Sequence, residues 1–194
     1  MIVVFDTTET FSDLRLEGPS FKLLRAYLHD TASSLSVPKI VFEETVNHFR
    51  ERLAKHVRSA ADNLREIAKL TGNEHGGTEE MLNQEEAVEK YREHLASQIQ
   101  RLRGAVIGFE NVSVEELVRR SLQRQKPFDG EGRKGFRDAV LWETVLREVL
   151  AKEGEQRTVA LITKNSSDFG KDGTLAEVLR DDCKKIGRVD QCVR

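Results

Sequence analysis

Acidic and amide side chains occur at four points of the sequence where an apolar run ends or a helical pattern begins. They are Asp6, Glu43 with Glu44, Asp138, and Asn165 with Asp168. Any one of them could simply cap a turn or offset a helix dipole, because acidic side chains are stabilising near helix N-termini. Capping alone explains four such points less well than a shared chemical role does.

Carboxylates that are gathered in one place repel one another unless a cation neutralises them. This set offers oxygen ligands and contains neither His nor Cys, which suits hard ions such as Mg²⁺ or Mn²⁺. The five histidines fall in or near predicted helices or turns instead. A metal site therefore becomes the favoured interpretation, provided that the fold brings the four points together.

The apolar pattern predicts strands that alternate with helices. Continuous, β-branched runs predict strands at 2–5, 35–38 and 158–163, with a last short strand at 188–193. Apolar residues at helical spacing predict helices at 20–30, 113–124, 136–150 and 174–186, the last capped by Thr174. This alternation is typical of an α/β fold with a parallel sheet flanked by helices. In such a sheet every strand-to-helix junction opens on one edge, so the four points are expected to converge there.

Two apolar stripes at helical spacing, at 46–67 and 88–102, follow the second predicted strand. They predict an antiparallel helical hairpin with its turn near 71–78. We expect residues 1–194 to form a single domain in which 47–125 are a helical insertion. The hairpin could pack on itself, extend a substrate cleft, or form an interface with a second copy or another protein.

The composition limits the class of protein. A length of 194 residues allows one domain with a real core, and 33% charged residues indicate a heavily charged surface. No run approaches the roughly 18 apolar residues of a membrane span. Because Cys183 and Cys192 are the two cysteines, a disulfide framework is implausible and we expect reduced thiols in a cytoplasmic protein.

A basic stretch precedes Asp138. Residues 119–137 contain seven basic and two acidic side chains, a net charge of +5 in a chain whose formal net charge is −2. We expect Arg133, Lys134 and Arg137 to contact substrate phosphates with little sequence preference. The alternative is a solvated charged surface.

Two aromatic residues, Phe128 and Phe136, lie in or beside this stretch. Either could stack on unpaired bases or pack in the core, and packing is the favoured interpretation for Phe136. The glycines and the proline of 126–135 predict a mobile loop.

Four short motifs make the chain resemble the PIN domain, a metal-dependent nuclease fold. They are F-D-T at 5–7, P-K-I-V-F-E-E at 38–44, F-R-D-A-V-L-W at 136–142 and T-K-N-S-S-D-F at 163–169. The resemblance covers nearly the whole chain except roughly 50–125. It implies an Mg²⁺- or Mn²⁺-dependent ribonuclease with RNA as substrate. Many members of the family are toxins, so an antitoxin protein is a further expected partner, and a homodimer is another.

Carried over by position, the resemblance implies site roles for individual residues. Catalytic roles fall to Asp6, Glu44, Asp138 and Asp168, and metal-binding roles to these four and Asn165. Apart from the resemblance, substrate contacts are expected for Thr163 and for the basic residues Arg133, Lys134 and Arg137. Glu44 matches the family better than Glu43 because an apolar pair usually follows the family's glutamate. Thr8 and Asn165 depart from the pattern, and an amide at 165 would weaken the binding of a second ion.

Two other interpretations stay open. The departures at Thr8 and Asn165 suit a catalytically degenerate module that binds RNA or a protein. The run from Asp6 to Thr10 also approaches the D-x-D-x-T motif of haloacid-dehalogenase-type phosphatases, although Thr8 stands where their acid should be. A later Asp-Asp pair of that phosphatase family should follow a strand, whereas Asp181 and Asp182 follow a helical segment.

Overall fold

A parallel sheet forms the centre of the protein. The computed structural model describes residues 1–72, 83–150, 158–171, 173–186 and 192–193. The strands are β1 (Ile2–Phe5), β2 (Ser34–Pro38), β3 (Gly104–Ile107), β4 (Val159–Ile162), β5 (Gly170–Lys171), β6 (Thr174–Leu175) and β7 (Cys192–Val193). Five of them pair in the order β3-β2-β1-β4-β7, with every pair parallel, whereas β5 and β6 form a separate antiparallel pair.

Helices cover this sheet. They are α1 (Pro19–Asp30), α2 (Lys39–Thr71), α3 (Gln84–Arg101), α4 (Val114–Leu122), α5 (Phe136–Thr144), α6 (Ser166–Phe169) and α7 (Glu177–Lys185), with a 3₁₀ turn at Thr7–Glu9 and a π-helical turn at Val145–Leu150. All four side chains of β1 are buried, because apolar residues of the helices join the strands in one core. The predicted α/β fold with a parallel sheet flanked by helices is confirmed. None of the described helices is long and apolar enough to cross a membrane.

The strand register brings three strand ends to one edge of the sheet. Phe5 pairs with Ile162, and the Asp6 amide continues the ladder by donating to the Ile162 carbonyl at 2.9 Å. On the other side of β1, Val4 pairs with Ser36, two residues before the end of β2. The residues that follow β1, β2 and β4 therefore emerge together, as a parallel sheet requires.

Residues 104–107 form the strand β3, which corrects their assignment to a helical insertion. It lies within 47–125, where only helical structure was predicted, and it pairs with β2. The strand is a four-residue edge strand whose middle residues, Ala105 and Val106, are exposed, so it lacks the buried apolar run that marks β1. Its neighbour Leu102 extends the apolar stripe of α3 and conceals where the helix ends.

The two long predicted helices are present as α2 and α3, and they run antiparallel where they touch. The rings of Phe49 and Tyr91 stack at 3.9 Å, and Arg50 lies 3.7 Å from Glu85. Gly72 ends α2 in a left-handed conformation (φ +69°), which glycine adopts without steric cost. Of the turn predicted near 71–78, residues 73–78 lie outside the described residues, and the hairpin as an insertion into a single domain stays a prediction.

The segment after β4 differs from its prediction. Thr174 does not cap a helix, because Thr174 and Leu175 pair with β5, and α7 begins only at Glu177. Only the end of the predicted strand 188–193 is described, as β7. The helix predicted at 136–150 becomes π-helical from Val145 onwards.

Candidate active site

Asp6 lies at the end of β1 and is 5% exposed. Its Oδ1 accepts a hydrogen bond from the Thr7 amide at 2.6 Å, so Asp6 does cap the 3₁₀ turn. Its Oδ2 accepts hydrogen bonds from the hydroxyls of Thr8 at 3.0 Å and Thr163 at 2.9 Å. Donors from the ends of both β1 and β4 therefore hold this carboxylate at the edge of the sheet. Capping and a chemical role are compatible here.

Glu43 and Glu44 point to different partners. Both oxygens of Glu43 accept hydrogen bonds from Arg92 of α3 at 2.8 Å, and these bonds lower the pKa of the Glu43 carboxyl. Glu44 accepts a hydrogen bond from the Thr7 hydroxyl at 2.6 Å and forms an ion pair with Arg137. Successive helical residues are 100° apart, so one carboxylate faces α3 and the other faces the strand ends. Glu44 is therefore the glutamate that belongs to the site.

Asp138 lies in the first turn of α5, and its carboxyl has a raised pKa. Burial first, and then the negative charges of Asp6, Asp168 and Glu44, together raise the pKa of the Asp138 carboxyl to about 7. A hydrogen bond with Asn165 opposes this effect. Three carboxylates from distant parts of the chain therefore all act on Asp138.

The segment after β4 completes the cluster. The Asn165 side-chain amide donates to Asp168 Oδ2 at 2.7 Å, and the Ser167 hydroxyl lies 3.2 Å from Asp168 Oδ1. The Thr163 hydroxyl accepts a hydrogen bond from the Asn165 backbone amide at 2.9 Å while it donates to Asp6. Thr163 therefore positions two members of the cluster, whereas the sequence predicted that it contacts substrate.

The donor set suits a hard divalent ion, but its side chains are not assembled into a coordination shell. Within the ranges described, no group of three or more His, Cys, Asp or Glu side chains could hold a metal ion as it stands. The carboxylates are engaged with donors of the protein, Asp6 with three of them and Glu44 with Thr7 and Arg137. The carboxylate and amide oxygens of the site form an oxygen-only ligand set. This set would fit Mg²⁺ or Mn²⁺ once Arg137 and Glu44 separate.

The basic stretch 119–137 divides into buried and exposed side chains. Arg120 is 1% exposed and forms ion pairs with Glu143 at 2.9 Å and with Asp182, so it joins α4, α5 and α7. Arg133 and Lys134 are exposed, and their backbone amides donate to the Asp129 carboxylate at 2.8 and 3.2 Å. The net charge of the stretch therefore overstates the charge that is available to a ligand.

The two aromatic residues of this region differ in burial. Phe128 is 4% exposed and packs with Leu117, Ala139 and Val140 in a small second core. Phe136 is 56% exposed, so the prediction that Phe136 packs is wrong. The predicted mobility of the loop 126–135 stays a prediction.

The model of a protein family described as the PIN domain matches residues 3–169 of the chain. The chain belongs to the PIN-domain family. Comparisons with curated proteins and with solved structures found no match. PIN domains are generally nucleases that use divalent metal ions. The match begins within β1 and ends at Phe169, so it spans all four acidic points and replaces the haloacid-dehalogenase alternative.

Three features of this PIN domain were missed by sequence reasoning. Thr7 holds Glu44, and Thr8 bridges the Asp6 carboxylate to the Lys164 amide, which donates to the Thr8 hydroxyl at 3.2 Å. Two threonines directly after the aspartate were a local signal for the first two contacts. The third feature, the pairing of Arg137 with Glu44, joins residues 93 positions apart and had no signal in the sequence.

Proposed function

We propose that this PIN domain is a divalent-metal-dependent endonuclease that hydrolyses phosphodiester bonds of RNA. One observation carries the proposal: a chain of hydrogen bonds runs from Asp6 through Thr163 and Asn165 to Asp168 at one edge of the sheet. The negative charges of Asp6, Asp168 and Glu44 also contribute to the raised pKa of Asp138. Such a concentration of like charge is costly and is usual where a functional cation binds.

Asp6, Glu44, Asp138 and Asp168 would hold Mg²⁺ or Mn²⁺, with Asn165 as a neutral oxygen ligand. When bound, the ion lowers the pKa of a water molecule and neutralises phosphate oxygens, which makes attack on phosphorus feasible. Thr8 and Thr163 keep Asp6 oriented for this role through the 3.0 and 2.9 Å hydrogen bonds. Hydrolysis by water is expected to leave a 5′-phosphate and a 3′-hydroxyl.

Substrate binding is assigned to exposed cations beside the carboxylates. Arg137 is 68% exposed and, once separated from Glu44, is free to contact a phosphate group next to Asp138. Arg133 and Lys134 extend this cationic surface along the loop that precedes α5. Contacts of this kind provide affinity without sequence preference.

The test is cleavage of single-stranded RNA by the purified protein with Mg²⁺, Mn²⁺ or a chelator. We expect metal-dependent cleavage that falls at least 100-fold in Asp6→Asn, because this change removes a charge that would ligand the ion. Asp181→Asn is the matched control, since Asp181 lies on α7 and pairs with Lys184 at 2.7 Å. A wild-type rate in Asp6→Asn would show that Asp6 serves only as a cap.

A second candidate is a degenerate PIN domain that binds RNA or protein without cleaving it. The amide at Asn165 and the lack of an assembled group of ligands within the described ranges favour this candidate. RNA binding without cleavage in either metal would select it. The toxin role belongs to the first proposal, and growth arrest by wild type but not by Asp6→Asn is its test. A partner antitoxin and a homodimer are separate proposals, measured by co-purification and by sedimentation.

A further inference from the structure

Lys126 places a positive charge beside the carboxylate cluster. Its ammonium donates a hydrogen bond to the backbone carbonyl of Ser167, the residue directly before Asp168. Lys126 and Ser167 are 41 positions apart in the sequence, so this contact joins the loop that precedes α5 to the segment that follows β4. Lys126 belongs to the basic stretch 119–137, but it was not among the substrate contacts predicted from the sequence.

The charge of Lys126 has no acidic partner among the described residues. Other cations of the same stretch do have one: Arg119 pairs with Glu116 at 2.5 Å. Arg137 pairs with Glu44. The Lys126 ammonium contacts only a neutral carbonyl in the described part of the chain, although the residue is partly buried. Because a partly buried charge without a counter-ion is unfavourable, an anion that arrives at this position is stabilised.

Buried neighbours hold the backbone of Lys126 in place. The guanidinium of Arg120, which is 1% exposed, donates a hydrogen bond to the Lys126 carbonyl at 3.1 Å. On the other side, the Phe128 amide donates to the Gln125 carbonyl at 3.0 Å, and the Phe128 ring packs in the second core. Only the lysine side chain has to move to meet a ligand, so binding costs little conformational entropy of the backbone.

The strand order places Lys126 and Arg137 on opposite sides of the site. In the sheet, β2 and β4 lie on either side of β1, and Asp6 follows β1. Arg137 contacts Glu44 of α2, the helix that follows β2. Lys126 contacts the residue before Asp168, in the segment that follows β4. A chain of phosphates that meets both cations therefore crosses the carboxylates that lie between them.

We propose that Lys126 binds a backbone phosphate of the RNA substrate on the β4 side of the carboxylates, while Arg137 binds a different phosphate on the β2 side. The proposal rests on the proposed function, and it adds a substrate-binding residue and the path of the RNA backbone across the strand ends. A lysine ammonium attracts a phosphate as a point charge, without reading the base sequence. Lys126 ligates no metal ion in this arrangement, so its contribution is measurable without metal.

Binding of a labelled RNA oligonucleotide in EDTA, followed by fluorescence anisotropy, tests Lys126 apart from the chemistry. Lys126→Gln removes the charge and keeps an N–H donor for the Ser167 carbonyl. It should raise the Kd about 5-fold at 0.1 M salt and about 2-fold at 0.3 M, because about 0.7 counter-ion is released for each phosphate contact. Lys126→Arg keeps the charge and should restore both the affinity and its salt dependence.

A matched control and a double variant complete the experiment. Lys55 is exposed on α2, 11 residues beyond Glu44 and about 16 Å along the helix. Lys55→Gln removes the same charge and should leave the Kd within about twofold, since the distance exceeds the screening length of about 10 Å at 0.1 M salt. In Lys126→Gln combined with Arg137→Gln, the two fold-losses should multiply, because each cation contacts its own phosphate.

Each outcome has a defined meaning. An unchanged Kd and salt slope in Lys126→Gln overturns the proposal, as does RNA binding by wild type that is too weak to measure. A loss of affinity with an unchanged salt slope, which Lys126→Arg does not restore, assigns Lys126 to holding the loop and also overturns it. A double variant no weaker than the weaker single variant overturns the path across the carboxylates. If wild type binds RNA through Lys126 but cleaves nothing with Mg²⁺ or Mn²⁺, the Lys126 proposal stands and the nuclease proposal fails.

Discussion

Replacing Asp138 by Asn should stabilise the metal-free protein, and the gain should depend on pH. Burial and the neighbouring carboxylates raise the pKa of Asp138 to about 7, whereas its ordinary value is 3.8. Between these two values the folded protein holds a proton that the unfolded chain has released. Stability therefore falls as the pH rises from 3.8 to about 7, and the full cost of the ionised carboxylate is present above pH 7. An uncharged Asn removes that cost.

The magnitude follows from the two pKa values. Their difference, at about 1.36 kcal/mol for each pH unit, corresponds to an upper limit of about 4 kcal/mol. Because the Asp138 side chain is only partly buried, solvent screening reduces this free energy to about 1–2 kcal/mol. At pH 8 the melting temperature should rise by about 2–8 °C for a chain of this size. At pH 5 the gain should be about a third as large, since wild-type Asp138 is then mostly protonated in the folded protein.

Urea denaturation with EDTA, at pH 5 and pH 8, measures this free energy directly. Asp181→Asn is the control, because Asp181 is exposed and paired with Lys184, and it should change stability by at most about 0.5 kcal/mol at either pH. Mn²⁺ should stabilise wild type more than Asp138→Asn, by mass action. Loss of stability in Asp138→Asn at pH 8, or an equal gain at both pH values, would refute the electrostatic reasoning.

Three further measurements address other parts of the molecule. Arg120→Ala should lower the free energy of unfolding by up to about 3–5 kcal/mol, because Glu143 and Asp182 lose their shared buried cation and keep only the more exposed Arg147 and Lys185 as cationic partners. Arg120→Met should cost less if packing matters more than charge. Replacing Arg133 and Lys134 together by Ala should reduce the slope of log Kd for single-stranded RNA against log salt by about 0.7 for each lost phosphate contact, and an unaltered slope would leave them as solvated surface. Arg137→Gln should tighten Mn²⁺ binding about 1.5- to 5-fold in calorimetry without RNA, since it frees Glu44, and weaker Mn²⁺ binding would contradict that role.

The parallel sheet and its acidic edge were accessible from the sequence because their signals are local. The strand β1 is a continuous run of apolar, β-branched or aromatic residues, and β4 has the same character. Parallel strands end at one edge, so the residues after β1 and β4 had to lie near each other. Asp6, Asn165 and Asp168 could therefore be grouped from the sequence alone.

The local sequence pattern did not predict burial where burial depends on which other element packs against a residue. Phe128 and Phe136 have similar polar surroundings in the sequence, but α4 covers Phe128 and nothing described covers the ring of Phe136 to the same extent. The strand β3 was hidden because an exposed edge strand of four residues carries no run of buried side chains. Such decisions belong to tertiary packing.

By itself, the sequence determined which residues carry charge and in what order they follow the strands. Only the tertiary structure decided which charges face each other. It turned Glu43 towards Arg92 and Glu44 towards the strand ends, and it buried Arg120 against an acidic residue 62 positions later in the chain. The physical reason is range: side-chain periodicity is set by neighbours within one or two turns, whereas ion pairing and burial are set by elements that meet only after the chain has folded.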